Sequence, residues 1–272
     1  MKKKTIISNT PISLKEYSQK LWGFKHLIYS FAVKDFKAKY AQTKMGALWM
    51  VIQPIIALLI FTLFFGELIQ LETGEVPYPA FAFSGMILWY FFTALVYSTG
   101  TSLLSAQELL GKVYFPKLIL PISKALLNSL EIIISFILLL ILLFILDIPL
   151  SFKVLLFPIA LLMILSIGLC IGIWLSAISI KHRDLQHLIP YLMNYGIWLT
   201  PVFYPTTIIP EEYREFMYYL NPIATTIDFF RFILFDSQFQ WNYLLSFIPV
   251  IIALGLGIIY FKSAERNAAD YI

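Results

Sequence analysis

Lys124, Asn128, Glu131 and Ser135 fall at i, i+4, i+7 and i+11 in an otherwise apolar run, which puts a cation, an amide, a carboxylate and a hydroxyl on one helical face. Two readings of this stripe stand: a helix end wetted at the inner mouth of a membrane, or the inner entrance of a transport pathway. Asp228 and Arg231 lie at i, i+3, close enough to pair on one face of a helix. Near lipid depth, where an unpaired charge is costly, that pair reads as structural glue. Catalytic chemistry finds less support. His26, His182 and His187 are the 3 histidines, and the spacing of the last two is poor for sharing a metal from one helix face. Cys170 is the single cysteine and sits among apolar residues, so no internal disulfide forms. Gly111 and Lys112 are followed by Val113, so no Gly-x-x-x-x-Gly-Lys-Ser/Thr phosphate loop occurs, and no Gly-x-Ser-x-Gly turn occurs either. Sparse buried charge argues against a proton- or sodium-coupled carrier. A chain of this kind is not expected to be an enzyme by itself, nor to hold a metal. If it moves something uphill, the energy enters through another subunit.

The elements that position these residues follow from composition. Of 272 residues, 60% are hydrophobic and 13% charged, with a mean hydropathy of +0.80. Soluble domains carry about 45–50% apolar and about 25% charged residues, so a water-soluble enzyme and a disordered chain are both excluded. A spanning helix needs roughly 20 mostly apolar residues. Six stretches qualify: 47–66, 80–104, 118–146, 154–178, 185–203 and 243–261. The predicted fold is therefore an all-α membrane protein with six transmembrane helices. Residues 1–46 form a cytoplasmic N-terminus and 47–272 the spanning domain. Met-Lys-Lys-Lys followed by Thr, Ser and Asn reads as no signal peptide. Lys2, Lys3, Lys4, Lys15, Lys20, Lys25, Lys34, Lys37, Lys39 and Lys44 precede the first span. Lys112, Lys117, Lys181, Arg183, Lys262 and Arg266 fall on the same side, and only Lys153, Arg214 and Arg231 fall opposite. The positive-inside rule then places both termini in the cytoplasm.

Three segments outside the spans carry signals. Within 21–44, Leu21, Trp22, Phe24, Leu27, Ile28, Phe31, Ala32 and Phe36 recur at helical spacing among lysines. That is a basic amphipathic helix suited to the inner membrane interface, either as an anchor or as a docking element. The second loop, 105–116, contains a short helical stretch and the pair Tyr114 and Phe115, which read as interface aromatics or as plugs for a groove on another protein. The fifth loop is broken by Pro205, Pro210 and Pro222, and 223–235 is apolar but too short to cross. A re-entrant external hairpin between spans five and six is expected there.

Ordered motifs recur along nearly the whole chain. They are Lys34-Asp35-Phe36-Lys37 with Tyr40, Thr43, Met45-Gly46-Ala47-Leu48-Trp49 and Gln53-Pro54; Lys112-Val113-Tyr114-Phe115-Pro116-Lys117 with Leu120-Pro121; and Arg183-Asp184 with Leu188-Ile189-Pro190-Tyr191. They continue with Thr200-Pro201-Val202-Phe203-Tyr204-Pro205, Leu220-Asn221-Pro222 and Ile227-Asp228-Phe229-Phe230-Arg231. As a set they resemble the permease subunit of type-2 ABC exporters for bacterial surface polysaccharides, most closely the O-antigen exporters. Met45 stands where that family usually has Leu, and Phe229 where it often has Gly. The resemblance implies a homodimer in the bacterial inner membrane, bound to two ATP-binding cassette subunits that hold ATP and Mg, and forming a channel for a lipid-linked polysaccharide. No nucleic acid is expected as a partner.

On that reading Glu108, Gly111, Lys112, Val113, Tyr114 and Phe115, with Lys181, Arg183 and Asp184, are expected to contact the ATPase. Lys34, Lys37 and Lys39 are placed to attract a lipid diphosphate at the inner leaflet. Tyr204, Phe216, Tyr218, Tyr219, Phe229 and Phe230 are candidates for an outer gate that seals or stacks on sugar rings. Teichoic acid, capsule or another lipid-like substrate is the alternative cargo.

Overall fold

A computed structural model describes residues 14–41, 44–110 and 113–267, and these are helical with no strand among them. Helix α1 (Leu14–Gly23) and α2 (Lys25–Phe36) are followed by one π-helical turn, Lys37–Ala41. Five helices are long and apolar enough to cross a membrane: α3 (Gly46–Leu68), α4 (Tyr78–Gly100), α7 (Ile119–Ile145), α8 (Phe152–Ser179) and α12 (Trp241–Glu265). The short helices α5 (Ser102–Ser105) and α6 (Gln107–Leu110) lie between α4 and α7. Helices α9 (Leu185–Gly196), α10 (Glu211–Leu220) and α11 (Pro222–Phe235) lie between α8 and α12.

α4 is the hub. It packs on α7, α8, α9 and α11, and its Ala80, Ala82, Met86, Leu88, Leu95 and Val96 are fully enclosed. Gly172 of α8 permits its closest approach, because a Cβ there would collide with Thr99. Two clusters mark opposite ends of the bundle. At one end Tyr17, Phe115, Ile119, Ile180 and Phe261 are buried together. At the other, Phe203 lies on Phe61 and Phe65 with ring centroids 5.1 and 4.8 Å apart, and its carbonyl accepts from Tyr78 Oη at 3.0 Å. Lys153, in the first turn of α8, pairs with Asp236, after α11, and stands 4.1 Å from the Phe232 ring centroid.

The stretch 185–203 is not among the helices long enough to cross. Its helix ends at Gly196, a 3-10 turn runs Ile197–Leu199, and Thr200 is extended at φ −119°, ψ 136°. The reason is local: Thr200 precedes Pro201, whose Cδ excludes the α conformation from the residue before it. Proline also divides the next segment as expected. Pro222 opens α11, where Asn221 Oδ1 accepts from the Ile223 and Ala224 amides, and Asp236 closes it with φ +56°.

The N-terminal helices depart from a purely interfacial anchor. They split at Phe24, and α2 packs along α7. Leu21, Phe24, Leu27, Ile28 and Phe31 are partly buried against the cluster around Tyr17 and Phe115. Trp22 faces outward with Lys25 at 5.1 Å from its ring.

Candidate functional site

The polar stripe on α7 meets the end of α2 in a ladder of opposite charges. Lys124 Nζ lies 2.8 Å from Asp35 Oδ2, and Lys39 Nζ lies 2.8 Å from Glu131 Oε1. Glu131 also accepts from Tyr40 Oη at 2.8 Å, which together with burial raises the Tyr40 pKa. Asn128 donates to Ser98 Oγ at 2.8 Å, and Ser135 donates to the Glu131 carbonyl at 3.1 Å. Lys124, Asn128 and Glu131 thus find partners on α2, α4 and the π-turn, whereas Ser135 bonds within α7. Asp35 and Tyr40, which complete the ladder, were not expected as members.

Two cavities flank this ladder. One, of about 400 Å³, is lined by Lys39, Gln53, Tyr90, Asn128, Glu131 and Ser135 among others. The second, of about 500 Å³, brings together Lys34, Asp35, Glu108 and Lys124. Residues expected to attract a diphosphate, to contact an ATPase and to line an entrance therefore meet on one side of α7. Lys34 and Lys37 are exposed, but Lys39 is neutralised by Glu131 and is not a free cation.

In the second loop, Gly111 and Lys112 lie outside the described residues. Glu108, Val113 and Tyr114 are exposed, as are Lys181, Arg183 and Asp184. Phe115 corrects the expectation of a second aromatic plug: it is 3% exposed and lies on Phe31 with centroids 5.5 Å apart. It anchors the loop to its own chain. Beside it a three-way junction escaped the sequence reading. Tyr17 Oη donates to Glu265 Oε2 at 2.6 Å, Lys117 N–H donates to Glu265 Oε1 at 2.9 Å, and Lys117 Nζ donates to the Glu265 carbonyl at 2.8 Å. Burial raises the Tyr17 pKa and lowers that of Lys117, the latter opposed by Glu265.

At the opposite end Arg231 has a different role from the one its spacing suggested. Its guanidinium donates to the Val202 carbonyl at 2.7 Å, the Pro201 carbonyl at 3.0 Å, the Phe81 carbonyl at 3.3 Å and Ser84 Oγ at 3.4 Å, and it sits 3.6 Å from the Phe81 ring centroid. No contact ion pair with Asp228 forms among the described residues. Arg231 is near enough only to ease the Asp228 pKa downward, as does the Tyr218 hydroxyl, while burial dominates and pushes it up to about 6. Gly85 belongs to the same contact, because a Cβ there would collide with the Val202 carbonyl.

The six aromatics proposed for an outer gate divide. Phe229, Phe230 and Tyr218 are enclosed within the chain: Phe230 lies against Phe136 and Phe157, Phe229 against Phe239, and Tyr218 stacks on Tyr243 with centroids 4.3 Å apart. In this conformation they seal the fold and have no face free for a sugar. Phe216 and Tyr219 are exposed, and Tyr204 is half-buried with its hydroxyl on the Trp198 carbonyl at 2.9 Å. Among the described residues no three His, Cys, Asp or Glu side chains converge as a metal site requires.

A bundle with five helices long and apolar enough to cross a membrane, and a polar ladder along one of them, is the architecture of a membrane protein. The chain matches the ABC-2 type transporter family over residues 26–235 and belongs to it. It is 29% identical over 221 residues to the O-antigen export system permease protein RfbA of Myxococcus xanthus, which covers 81% of this chain and 84% of that protein. It is 22% identical over 243 residues to the protein of the same name from Klebsiella pneumoniae, covering 88% and 92% respectively. Polysialic acid transport protein KpsM of Escherichia coli is 22% identical over 242 residues, covering 86% and 92%.

Proposed function

We propose that this chain is the membrane subunit of an ATP-driven exporter that moves a lipid-linked polysaccharide of the O-antigen class across the bacterial inner membrane. Two copies form the channel, and two separate ATP-binding cassette subunits hold ATP and Mg. The observation that carries the reading is family membership across most of the chain, joined to near full-length similarity to a permease named for O-antigen export. The similarity to KpsM keeps a capsular polysaccharide as the second reading of the cargo.

Six crossings with both termini cytoplasmic complete the proposal. Tyr17 and Glu265, near the two ends of the chain, are hydrogen-bonded to each other, and this supports an even number of crossings. Ile180 and Phe203 lie in the clusters at opposite ends, which supports a fifth crossing within 185–203. Helix and 3-10 turn together supply only about 24 Å of a roughly 30 Å core. The remainder is irregular backbone, tolerated at that depth only where protein satisfies its polar groups, and Arg231 does so for Pro201 and Val202. Helices α10 and α11 then form the re-entrant external hairpin. On the inner side α1 and α2 lie at the interface, where Lys34 and Lys37 face a lipid diphosphate. The loop 108–115 and Lys181, Arg183 and Asp184 meet the ATPase.

Three measurements test this. Affinity purification of the tagged chain should bring down an ATP-binding cassette subunit, and deletion of its gene should remove surface polysaccharide while precursor accumulates inside. An impermeant thiol reagent should reach a cysteine at position 216 from outside. Labelling only from the cytoplasm would overturn the topology, and unaltered surface polysaccharide would overturn the cargo.

A further inference from the structure

We infer that Glu265 is the positioning residue that holds the loop 113–117 rigid and ties its movement, through α12, to the hairpin α10–α11 at the far end of the molecule. This rests on the exporter reading above. Three observations carry it. First, both Glu265 carboxylate oxygens are engaged, one by the Lys117 backbone amide and one by the Tyr17 hydroxyl, while Lys117 Nζ returns to the Glu265 carbonyl. A carboxylate gripping a backbone amide fixes the direction of the chain, which apolar packing alone does not.

Second, the loop is clamped from its other side. Phe115 is buried with Tyr17 and Phe261, and Phe261 lies one helical turn before Glu265 on the same face of α12. Pro116, between Phe115 and Lys117, removes a backbone degree of freedom. Val113 and Tyr114 are left exposed just ahead of a rigid joint. A load applied to them is delivered to α12 and α1 and is not absorbed by a slack loop.

Third, α12 reaches the hairpin. Its 25 residues, Trp241–Glu265, of which Trp241–Ser246 are a 3-10 stretch, span about 40 Å at helical rises. At the far end Tyr243 stacks on Tyr218 of α10, and Ser246 Oγ, which donates to the Tyr243 carbonyl at 2.7 Å, lies 3.4 Å from Thr225 Oγ1 of α11. One continuous helical run, 3-10 over Trp241–Ser246 and α from Phe247 onward, therefore connects the Glu265 junction to both helices of the hairpin. The test reads the coupling between the two ends directly.

Phe216, exposed on α10, is replaced by cysteine in a Cys170→Ala background, and its labelling rate is followed in the complex purified with its ATP-binding cassette subunit, with and without ATP. The unaltered junction should give an ATP-dependent change in rate. Glu265→Ala should shrink that change roughly 2- to 30-fold, the range expected of such couplings, with basal ATP hydrolysis unchanged. Glu265→Gln, which retains an acceptor for the Lys117 amide, should restore most of it. If Glu265→Ala does not accumulate, Tyr17→Phe removes one donor and should give a smaller loss in the same direction. The inference is overturned if the unaltered protein exports polysaccharide with no ATP-dependent change at position 216, or if both Glu265→Ala and Tyr17→Phe leave that change intact. A chain that recovers no ATPase and exports nothing overturns the exporter reading instead.

Discussion

Arg231→Ala is expected to be the most damaging single truncation at the Phe203 end of the bundle. Arg231 is 7% exposed, and its strongest bonds reach the Val202 and Pro201 carbonyls at 2.7 and 3.0 Å. A hydrogen bond from a charged donor contributes about 1.5–3 kcal/mol, and each buried carbonyl left without a partner costs about 1–3 kcal/mol. Loss of the stacked Phe81 ring adds up to about 2 kcal/mol, and the smaller side chain leaves space that the surroundings only partly fill. These terms overlap, and removing one member of a buried charged arrangement typically destabilises by about 3–5 kcal/mol. At about 2–4 °C per kcal/mol for a chain of this size, the unfolding midpoint in detergent should fall on the order of 10 °C. Arg231→Lys should fall between the two, because an ammonium does not fork to two carbonyls in the guanidinium geometry. Gly85→Ala strikes the same Val202 carbonyl sterically, so the double variant should be distinctly less damaged than the two single losses added together. An unchanged midpoint for Arg231→Ala, or strict additivity with Gly85→Ala, would refute the assignment of Arg231 to the Pro201 and Val202 carbonyls.

Asp228 has a folded pKa of about 6, above its ordinary 3.8, so the fold favours the neutral acid; this contribution is complete below pH about 4 and is lost as pH rises through 6. D228N should therefore match or exceed the parent midpoint at pH 7.5 and lose that advantage toward pH 4.5; a deficit at every pH would contradict it. The exchanged variant D228R/R231D should fail to recover the loss from Arg231→Ala in a thermal melt, because the partners of Arg231 are carbonyls and not Asp228. Phe115→Ala should lower the midpoint by an amount equivalent to about 3–5 kcal/mol, whereas Tyr114→Ala, at 53% exposure, should leave it within about 0.5 kcal/mol and reduce export per ATP hydrolysed. Glu131→Gln should alter stability by no more than about 1 kcal/mol, because its Lys39 partner is nearly half exposed.

The sequence was most legible where one physical rule acts alone. Long apolar runs locate α3, α4, α7, α8 and α12, and the prolines at 210 and 222 locate the breaks around α10 and α11. Helical periodicity also put Lys124, Asn128, Glu131 and Ser135 on one face, and the structure finds them there with their partners. It was less legible where hydropathy and backbone chemistry compete. Residues 185–203 are apolar enough for a span, yet Thr200 before Pro201 stops the helix. The i, i+3 spacing suggested that Arg231 serves Asp228, but spacing within a helix says nothing of carbonyls 29 and 30 residues away. Aromatic content had the same blind spot, since Phe229 and Phe230 look alike in sequence whether they face a channel or their own core. Glu265 carried no signal at all: its partners are 148 and 248 residues distant, and only the closed bundle brings them together.

The contrast between α3 and α4 bears on how the chain enters the bilayer during synthesis. The most apolar part of α3 has a mean hydropathy of 2.4 with 6% of its residues buried in protein, so it is at home in lipid before any neighbour exists. The corresponding part of α4 has a mean hydropathy of 1.6 and 78% of its residues buried, and it carries Ser84 and Thr99 at full enclosure. Such a helix is solvated by other helices more than by lipid, and most of its partners, α7, α8, α9 and α11, are synthesised after it. Newly made α4 must therefore wait, held at the insertion machinery or paired provisionally with α3, until α8 arrives. Mutations that make its waiting face more polar should show themselves first as insertion failures, in chains truncated after α4, and only later as defects of the finished protein.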